Sequence, residues 1–579
     1  MKMSGVFHLA LMLAAVPVCT GIDRGQAATP VHDVAVTDIS SPSTCKQGET
    51  VPITITVTNQ GTRRERFRLT LAEGVSGKEI ASKEMALAKG WKDGSEGIAD
   101  VVFNGEATGV QEFGSGIWSG GDINGDGYDD ILISAPRWNE SRGRVYLYYG
   151  GASIDPSYPD ITFSGQDPNT HLGDYRGSSS CDVNLDGYDD ILIGAWGYNN
   201  YTGRVYIHYG GPKIDTQADM VLDGEPGQEG WFGLEVTSSD IDDDGHEDVL
   251  VSAQNYNNGV GRVYIFWGNP MDTSPDVLLD GEGYPEGKPK PALGWETQGW
   301  FGRRIDANGD INGDGYNDIL VGARYAGEGF SGSAYLFLGG KKDDMDTVCD
   351  YVFPGESPRD EMGSSGRIFD IDRDGFDDVL VGARFAANYR GRVYIYWGAD
   401  NFDGSQPDVV LEGEAGSIMG ADEIVCGYFN SDGYGDILVG APAYLNRGRA
   451  YIFHGNTQAL MDQQADYIFD GESGHNGRFG IAASSGDFNN DNHDDIVIGA
   501  WGYNDRQGRA YLFYGPFDST TDLTFNWDTT NTSPGKHILK AAIAPVPGEE
   551  DITDNTMAVT IEVKGLSKTV GTPRELNQQ

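Results

Sequence analysis

Residues 122–150 read DINGDGYDDILISAPRWNESRGRVYLYYG, and this stretch decides the fold. It joins an acidic loop, an apolar segment that ends in Ala-Pro, and a segment of alternating aromatic residues. The same order of features occurs seven times in the chain, with acidic loops that begin at 122, 182, 240, 310, 370, 428 and 487. A spacing of about 60 residues accommodates four short strands per unit. The pattern therefore predicts seven four-stranded sheets that close into a ring.

Each unit also carries a Phe-Gly-like pair before its acidic loop. The seven pairs are Phe113-Gly114, Leu172-Gly173, Phe232-Gly233, Phe301-Gly302, Met362-Gly363, Met419-Gly420 and Phe479-Gly480. The segment VVFNGE (101–106) has no strands of its own before it and resembles the last strand of the later units. We expect it to complete the seventh sheet, which would bring residues near 100 and 516 together.

The Phe-Gly pairs, the Gly-Ala-Pro-like triplets such as ILVGAP (437–442) and the acidic loops resemble the FG-GAP repeats of the integrin α-subunit headpiece. The resemblance covers about 415 residues in seven copies. It implies an all-β fold with a seven-bladed β-propeller over residues 98–516. It also implies an extracellular adhesion or recognition function and the binding of partners on the face that carries the loops between second and third strands.

The acidic loops place oxygen-bearing side chains at positions 1, 3, 5 and 9, with a backbone carbonyl available at position 7. Ca²⁺ prefers six to eight oxygen ligands, and carboxylates this close together repel one another without a cation. We expect about six structural Ca²⁺ sites. Their candidate ligands are Asp122, Asn124, Asp126, Tyr128 and Asp130; Asp182, Asn184, Asp186, Tyr188 and Asp190; Asp240, Asp242, Asp244, His246 and Asp248; Asp310, Asn312, Asp314, Tyr316 and Asp318; Asp370, Asp372, Asp374, Phe376 and Asp378; and Asp487, Asn489, Asp491, His493 and Asp495.

The sixth loop departs from this pattern, because Tyr428 stands at position 1 and leaves only Asn430, Asp432 and Asp436. We expect that site to be weak or empty. Mg²⁺ fits these loops less well, because it requires a tighter octahedron and retains its waters. The alternative for any single loop is an ordinary Asp-Gly turn without a metal ion.

The loops between the second and third strands form the candidate ligand-binding face, because aromatic residues, Asn and Arg recur in them. Such residues are enriched at binding hot spots and also suit sugars. The candidates are Trp138, Trp196, Tyr198, Tyr256, Tyr325, Phe385, Tyr389, Tyr444, Trp501 and Tyr503. The alternative is that these aromatic side chains pack between blades. A long loop at 281–300, with Tyr284, Trp295 and Trp300, is a further candidate.

The regions outside the repeats predict a second, split domain. Residues 1–28 have the charge, apolar run and small residues of a secretory signal peptide, and 565–579 form a polar tail. Residues 29–92 and 521–564 contain about seven strand-like segments, the number in an Ig-like β-sandwich. The segments ALAKG (86–90) and TFNW (524–527), with DN at 554–555, resemble a CARDB domain. This resemblance implies a propeller inserted into the sandwich; the alternative is two unrelated β pieces.

Composition narrows the function further. The 88 acidic residues against 41 basic ones give a formal net charge of −47, which disfavours nucleic-acid and anionic-membrane partners. After removal of the signal peptide we expect no transmembrane segment, and the sequence shows no HExxH, GxSxG or P-loop motif. We therefore predict a secreted, non-enzymatic module that binds an extracellular protein or glycan. The alternatives are a surface or matrix scaffold without a specific ligand and a polysaccharide lyase or hydrolase.

Overall fold

The structure is a computed structural model. It describes residues 34–47, 49–59, 65–73, 79–87, 99–106, 109–174, 178–281, 299–461, 463–473, 476–517, 520–530, 532–543 and 556–564. The predicted signal peptide and polar tail, Tyr284 and Trp295 of the long loop, and residues 554–555 lie outside the described residues.

The described strands are numbered in chain order. Five precede the repeats: β1 (Val34–Ser40), β2 (Thr44–Lys46), β3 (Thr50–Asn59), β4 (Glu65–Glu73) and β5 (Glu79–Leu87). The next strand, β6 (Val101–Asn104), corresponds to the VVFNGE segment. The repeats supply β7 (Ile117–Ser119), β8 (Ile131–Ser134), β9 (Arg144–Tyr148), β10 (Ile161–Ser164), β11 (Ser178–Cys181), β12 (Asp190–Gly194), β13 (Arg204–His208), β14 (Met220–Asp223), β15 (Phe232–Ser239), β16 (Asp248–Ala253), β17 (Arg262–Phe266), β18 (Val277–Asp280), β19 (Phe301–Asp306), β20 (Ile319–Ala323), β21 (Ser333–Phe337) and β22 (Tyr351–Pro354).

The later repeats supply β23 (Met362–Phe369), β24 (Asp378–Ala383), β25 (Arg392–Tyr396), β26 (Val409–Glu412), β27 (Ile424–Gly427), β28 (Asp436–Ala441), β29 (Arg449–Phe453), β30 (Tyr467–Asp470), β31 (Ala483–Gly486), β32 (Asp495–Gly499) and β33 (Arg509–Phe513). Three strands follow: β34 (Thr520–Asp528), β35 (Gly535–Ile543) and β36 (Thr556–Lys564).

The repeats form seven four-stranded antiparallel sheets, which we call blades 1 to 7 in chain order. The first strands of the blades (β7, β11, β15, β19, β23, β27 and β31) each contact the next, and β31 contacts β7. The fourth strand of blade 7 is β6, whose Phe103 pairs with Ala510 of β33. This pairing confirms the expectation that VVFNGE completes the last blade. The blades therefore form a closed β-propeller.

The hydrophobic core of the propeller lies between blades. Seven clusters of buried residues each combine apolar side chains from two neighbouring blades. Phe113 of the first Phe-Gly pair, for example, packs with Ile133 of blade 1 and with Val497 and Leu512 of blade 7. Each blade thus depends on both neighbours to bury its apolar faces, which is why the pattern needs a complete ring.

Backbones of adjacent blades also approach closely, and glycine makes this possible. Gly143, just before β9, forms a parallel bridge with Leu172 of the next blade. A Cβ at Gly143 would lie 2.3 Å from the Leu172 nitrogen, and its φ of 81° also favours glycine. The same bridge joins Gly203 to Phe232 and Gly508 to Phe113. The glycine before each third strand and the Phe-Gly pair of the next repeat are therefore two halves of one contact.

The loops between second and third strands contain short left-handed turns. Helix-like segments occur there at Trp138–Ser141, Tyr198–Tyr201, Tyr256–Gly259, Ala386–Tyr389 and Tyr503–Arg506, with a 3-10 turn at Tyr444–Asn446. Their central residues have positive φ, as at Asn199 (48°) and Asn200 (55°). Asn tolerates this conformation, which accounts for the recurrent Asn in these loops. The turn directs the preceding aromatic side chain back onto the blade.

The strands on either side of the propeller combine into two further sheets. One has the order β1-β3-β34, and the other, which includes a parallel pair, has the order β2-β36-β35-β4-β5. Ile53 of β3 pairs with Phe525 of β34, so the two ends of the chain share a sheet. Both sheets contribute to one buried cluster that includes Ile55, Leu539 and Ile561. Neither end could form this core alone.

Candidate functional site

The acidic loops join the first and second strands of each blade, and we call the face that carries them the metal-loop face. In blade 1, Oδ1 of Asp122 accepts hydrogen bonds from the backbone N–H groups of Gly125 (2.8 Å) and Asp126 (2.9 Å). Its Oδ2 accepts one from Gly127 (2.8 Å), whose φ is 87°. Asp126 in turn accepts the N–H of Tyr128 (3.2 Å). Positions 1 and 5 therefore fold the loop around a small space between their carboxylates.

This geometry recurs around the ring. The position-1 carboxylate accepts the position-6 N–H in the pairs Asp182–Gly187, Asp240–Gly245, Asp310–Gly315, Asp370–Gly375 and Asp487–Asn492. The position-5 carboxylate accepts the position-7 N–H in the pairs Asp186–Tyr188, Asp244–His246, Asp314–Tyr316, Asp374–Phe376 and Asp491–His493. The third positions of four loops are the amides Asn124, Asn184, Asn312 and Asn489, whereas Asp242 and Asp372 are carboxylates.

The aspartate at position 9 is buried and connects the loop to the sheet. Asp130 is 0% exposed; its Oδ2 accepts the N–H of Ile123 (3.1 Å) and its Oδ1 the N–H of Gly150 after β9 (2.8 Å). Burial raises the pKa of Asp130 to about 8, and the negative charges of Asp126 and Asp122 add to this increase. Equivalent residues, all with a pKa raised to about 7 or 8 by burial, are Asp190, Asp248, Asp318 and Asp378. Asp495 is likewise 0% exposed. Each oxygen keeps a second lone pair that a cation could use.

Two loops bring three carboxylates together. In blades 3 and 5, carboxylate oxygens of Asp240, Asp242 and Asp244, and of Asp370, Asp372 and Asp374, lie within 4.8 Å of one another. Oδ1 of Asp242 and Oδ1 of Asp370 are buried and have no hydrogen-bond partner among the described residues. Burial raises the pKa of Asp242, and Asp244 and Asp240 raise it further. These two acidic groups are consistent with Ca²⁺ sites, because an oxygen-binding cation would satisfy both atoms and offset the repulsion.

The sixth loop lacks the position-1 carboxylate. The backbone N–H of Tyr428 donates to Oδ2 of Asp494 in blade 7 (2.7 Å), and the N–H of Tyr434 donates to Asp432 (2.9 Å). The ring of Tyr428 is half exposed and packs near Phe369. The acidic residues left in this loop are Asp432 and Asp436, so a weak or empty site stays our expectation.

A contact that the sequence analysis missed joins neighbouring loops at position 8. The Asp189 carboxylate of blade 2 accepts the backbone N–H of Asp122 in blade 1 (2.8 Å). Asp129 accepts the N–H of Asp487 in blade 7 (2.9 Å), and Asp377 that of Asp310 (2.8 Å). The recurrent acid at position 8 was the available signal. These carboxylates link the loops into a belt around the metal-loop face.

On the opposite side, which we call the upper face, five of the ten candidate aromatic residues lie against an arginine of the third strand. The guanidinium carbon of Arg144 is 3.4 Å from the ring centroid of Trp138. The equivalent distances are 4.0 Å for Arg204 and Tyr198, 4.0 Å for Arg262 and Tyr256, 3.8 Å for Arg449 and Tyr444, and 3.8 Å for Arg509 and Tyr503. A cation–π contact of this kind holds the loop on its own blade.

Four of these five arginines also connect neighbouring blades. Nη1 of Arg144 in blade 1 donates to Glu106, which follows β6 of blade 7, at 2.6 Å, and the Tyr146 hydroxyl donates to the same carboxylate at 2.9 Å. Glu225 with Arg262 and Tyr264, and Glu472 with Arg509 and Tyr511, repeat this arrangement. We call it the inter-blade clasp. The cation–π contacts give five aromatic residues a structural role, and we call them clasp members: Trp138, Tyr198, Tyr256, Tyr444 and Tyr503. For Tyr198 the contact holds one blade only, because Arg204 pairs with Asp223 of the same blade.

Two other candidates, Trp196 and Tyr325, belong to a continuous row of aromatic rings over blades 2 to 4, which we call the aromatic row. Its members are His171, Trp196, Tyr201, Trp231, Trp300, Tyr325 and Phe330. Centroid distances are 4.4 Å for His171–Trp196, 5.4 Å for Trp196–Trp231, 5.7 Å for Trp231–Trp300 and 4.9 Å for Trp300–Tyr325. The three tryptophans and Tyr325 are half-buried, so the row presents ring surface to solvent.

The aromatic row arises from a position that sequence reasoning did not single out. The residue before each Phe-Gly-like pair has positive φ in all seven repeats; the residues are Glu112, His171, Trp231, Trp300, Glu361, Ile418 and Arg478. The second strand of each blade ends in Gly-Ala or Ser-Ala. Strand pairing places the residue before the Phe-Gly-like pair beside the residue that follows this Ala. The bridge between Leu172 and Ala195 thus sets His171 beside Trp196. Seven such pairs surround the upper mouth of the central channel.

The remaining candidates are separate from the aromatic row. Phe385 packs against Tyr389 at 5.0 Å and lies over Arg384 in blade 5. Trp501 of blade 7 lies between Arg478 (6.0 Å) and Arg506 (5.6 Å). The structure therefore divides the ten predicted residues into clasp members, row members and these three.

Below the mouth, the channel contains charged side chains that already pair with one another. Nη1 of Arg304 donates to Glu235 (2.9 Å), and Nη1 of Arg367 donates to Asp306 (2.7 Å). They border a polar cavity with Glu423 and the free thiol of Cys426. Both of these arginines are therefore engaged by carboxylates.

Comparison with known proteins matches the repeats to one family. The FG-GAP repeat family matches residues 113–148, 175–208, 232–266, 304–337, 362–396 and 479–513. The sixth repeat, with Tyr428, lies outside these matches. Among the described residues, no helix is long and apolar enough for a membrane crossing.

Several curated proteins are similar to part of this chain. "Integrin alpha pat-2" of Caenorhabditis briggsae is 28% identical over 275 residues, which cover 46% of this chain and 18% of that protein. "Integrin alpha-PS2" of Drosophila melanogaster is 33% identical over 222 residues (35% and 14%). "Phosphatidylinositol-glycan-specific phospholipase D" of Mus musculus is 31% identical over 169 residues (28% and 19%). The match thus spans less than a fifth of each of these relatives.

A solved structure titled "Structure of Dos1 propeller" aligns with a TM-score of 0.39 and 9% identity, over 84% of this chain and 98% of that one. The repeat matches and the closed ring of seven blades lead to one conclusion. The chain contains FG-GAP repeats that form a β-propeller like that of integrin α subunits.

Proposed function

We propose that this protein is a secreted, calcium-binding recognition module whose upper face binds an extracellular protein or glycan. The observation that carries the proposal is the aromatic row, which presents half-buried rings at the mouth of a rigid propeller. Large aromatic side chains on a rigid support contribute much contact area at a small entropic cost.

The comparisons support an extracellular recognition role through the integrin α subunits. The matched segment is a small part of those proteins, and a phospholipase D is similar over 169 residues, so the aromatic row carries the proposal. The charged groups of the channel, where a propeller enzyme could place its acids, pair with arginines. The proposal is therefore a binding function without catalysis, and a scaffold without a ligand is the second candidate.

Calcium has a structural role in this proposal. Positions 1, 3, 5 and 9 of six loops, with the carbonyl of position 7, would hold it; the strongest candidates are the loops of Asp240 and Asp370. A bound divalent cation supplies charge neutralisation. The loops then fix the metal-loop face, and through the strands they stabilise the mouth on the opposite side.

We further propose that the two flanking sheets are an Ig-like domain of the CARDB type, with the propeller inserted between β5 and β34. The direct pairing of β3 with β34 and the shared core support this assignment. The domain would hold the propeller at the cell surface or in a matrix while the upper face stays accessible.

The test is affinity capture from native envelope material, with calcium and with a chelator. We expect one protein or polysaccharide to be retained by the calcium-loaded protein and lost in Trp231→Ala, which removes the centre of the aromatic row. The matched control is Tyr158→Ala, because Tyr158 is 77% exposed in the loop between β9 and β10, on the metal-loop face. Equal capture by both variants would contradict the upper-face assignment, and empty capture in every arm would favour the scaffold.

A further inference from the structure

The mouth of the channel at blades 4 to 6 contains three neighbouring guanidinium groups. Nη2 of Arg303 lies 2.6 Å from Oδ1 of Asp422, and Nε of Arg384 lies 2.8 Å from Oε2 of Glu361. Both ion pairs are largely buried. Two carboxylates therefore balance two of the three cations.

The third cation, Arg324, forms no ion pair with any described residue. Its guanidinium carbon lies 4.9 Å from the ring centroid of Trp300 and 4.8 Å from that of Tyr325. Its Nε is buried without a hydrogen-bond partner in the described part of the chain. Burial, with Arg303 and Arg384 nearby, lowers the pKa of Arg324 to about 10. Arg324 is half-buried as a whole, and a partly desolvated cation of this kind is stabilised when an anion joins it.

In the neighbouring blade 3, Gln254 supplies a second donor at the position equivalent to Arg324. Gln254 is 1% exposed, and its Nε2 has no hydrogen-bond partner within the described ranges. The pairing of Phe232 with Ala253 places Gln254 opposite Trp231. It occupies the ring position that Arg324 occupies in blade 4. The mouth thus combines hydrogen-bond donors with the rings of Trp231, Trp300 and Tyr325.

These groups define the chemistry of a ligand. A guanidinium fork matches the two oxygens of a carboxylate, and an amide N–H₂ matches a hydroxyl or ring oxygen. Flat aromatic rings fit the C–H face of a sugar ring, whereas an extended acidic peptide offers no such face. The net charge of −47 opposes the approach of a polyanion, but that field is screened beyond roughly 8 Å at physiological ionic strength. At shorter range the guanidinium groups of the mouth dominate the interaction with a carboxylate.

We propose that the mouth between blades 3 and 5 binds a uronate residue of an acidic polysaccharide, with its carboxylate on Arg324 and its ring against Trp231 and Trp300. This inference rests on the proposed recognition function and names its ligand class. Gln254 donates to an oxygen of the same sugar. Because Asp422 and Glu361 balance Arg303 and Arg384, Arg324 is the guanidinium that remains for the anion.

The test is calorimetric titration of the calcium-loaded full chain with tetragalacturonate, with neutral galactotetraose and with tetraglutamate. We expect tetragalacturonate to bind and galactotetraose to bind at least tenfold more weakly. Arg324→Gln should weaken uronate binding by about 10- to 100-fold, as for loss of charge-assisted hydrogen bonds. Gln254→Leu should weaken it by about 2- to 10-fold.

The matched control is Lys213→Gln, which removes one positive charge from an exposed side chain in the loop between β13 and β14, on the metal-loop face, and should leave the affinity unchanged. Melting curves show whether each variant is folded, and Arg324→Lys, which keeps the charge but loses the fork, should give an intermediate affinity. Absence of uronate binding by the unmodified protein would overturn the inference. Tighter binding of tetraglutamate that depends on Arg324 would also overturn it, in favour of an acidic protein. The proposed recognition function is tested by a different result: it is contradicted if Trp231→Ala captures the same envelope material as the unmodified protein.

Discussion

The left-handed turn of blade 6 offers a direct test of how the upper-face loops are built. Leu445 has φ 46° and ψ 27°, and its side chain is 68% exposed. A left-handed conformation costs a residue with a branched side chain about 1–2 kcal/mol, and Asn tolerates it better. Blades 1, 2, 3 and 7 have Asn at this place, as at Asn139 and Asn504.

We therefore expect Leu445→Asn to raise the free energy of unfolding by about 1 kcal/mol, because it relieves strain and removes little buried surface. The matched control is Leu460→Asn, since Leu460 is 67% exposed and does not have positive φ. Its change should stay within about 0.5 kcal/mol. Urea unfolding with excess calcium, followed by tryptophan fluorescence, measures both. A lower stability of Leu445→Asn, or equal changes in the two variants, would refute the reasoning.

Three further predictions concern the ring, a buried histidine and calcium. Phe103→Ala should lower the free energy of unfolding by about 3–5 kcal/mol, because Phe103 is 0% exposed in the strand that closes the ring. The control is Val102→Ala at the half-buried neighbouring position, which should lower the free energy of unfolding clearly less in the same urea assay. Burial beside Arg137 lowers the pKa of His171 to about 4 from its ordinary 6.5. Folding therefore favours the neutral imidazole, and the contribution of His171 to the free energy of unfolding is complete above pH 6.5 and falls by up to about 3 kcal/mol as the pH drops to 4. The variant His171→Gln should lose this part of the pH dependence when its free energy of unfolding is measured at pH 7 and pH 5. A pH dependence equal to that of the unmodified protein would contradict the assignment. Asp242→Asn should lower the melting temperature in calcium but raise it in chelator, because it removes a ligand in the first case and repulsion in the second; the same sign in both would argue against a metal site.

The periodic features of the fold could be predicted from the sequence because each repeat contains all of the residues that specify its own strands and turns. The repeat of the acidic loops predicts the number of blades. The segment at 101–106, which has no strands of its own before it, predicts that the ring closes by pairing the first strand of the repeat region with the last blade. The loop geometry at positions 1, 5 and 6 also follows from sequence, since Asp and Gly at that spacing favour one compact turn. Calcium itself remains a prediction from donor chemistry, supported most directly by the carboxylate groups of blades 3 and 5.

The mouth of the channel could not be predicted in the same way, because it depends on strand register between distant residues. Trp231 and Gln254 are 23 positions apart, and they become neighbours only when Phe232 pairs with Ala253. The clasp was also hidden: an aromatic residue such as Tyr503 looks like a ligand-binding side chain until the left-handed turn places it over Arg509. Sequence identified the face correctly as rich in aromatic residues but could not separate packing residues from accessible ones.

The pairing of β3 with β34 has a mechanical consequence. The chain enters the propeller after β5 and leaves it just before β34, and β34 is hydrogen-bonded along its length to β3, from Thr50–Asp528 to Thr58–Thr520. Tension applied between residues 34 and 564 is therefore borne by strand pairs of the flanking sheets, among them the parallel pair of β2 and β36. The propeller lies outside this load path. A protein built in this way can be pulled through its flanking sheets while the blades remain unstrained.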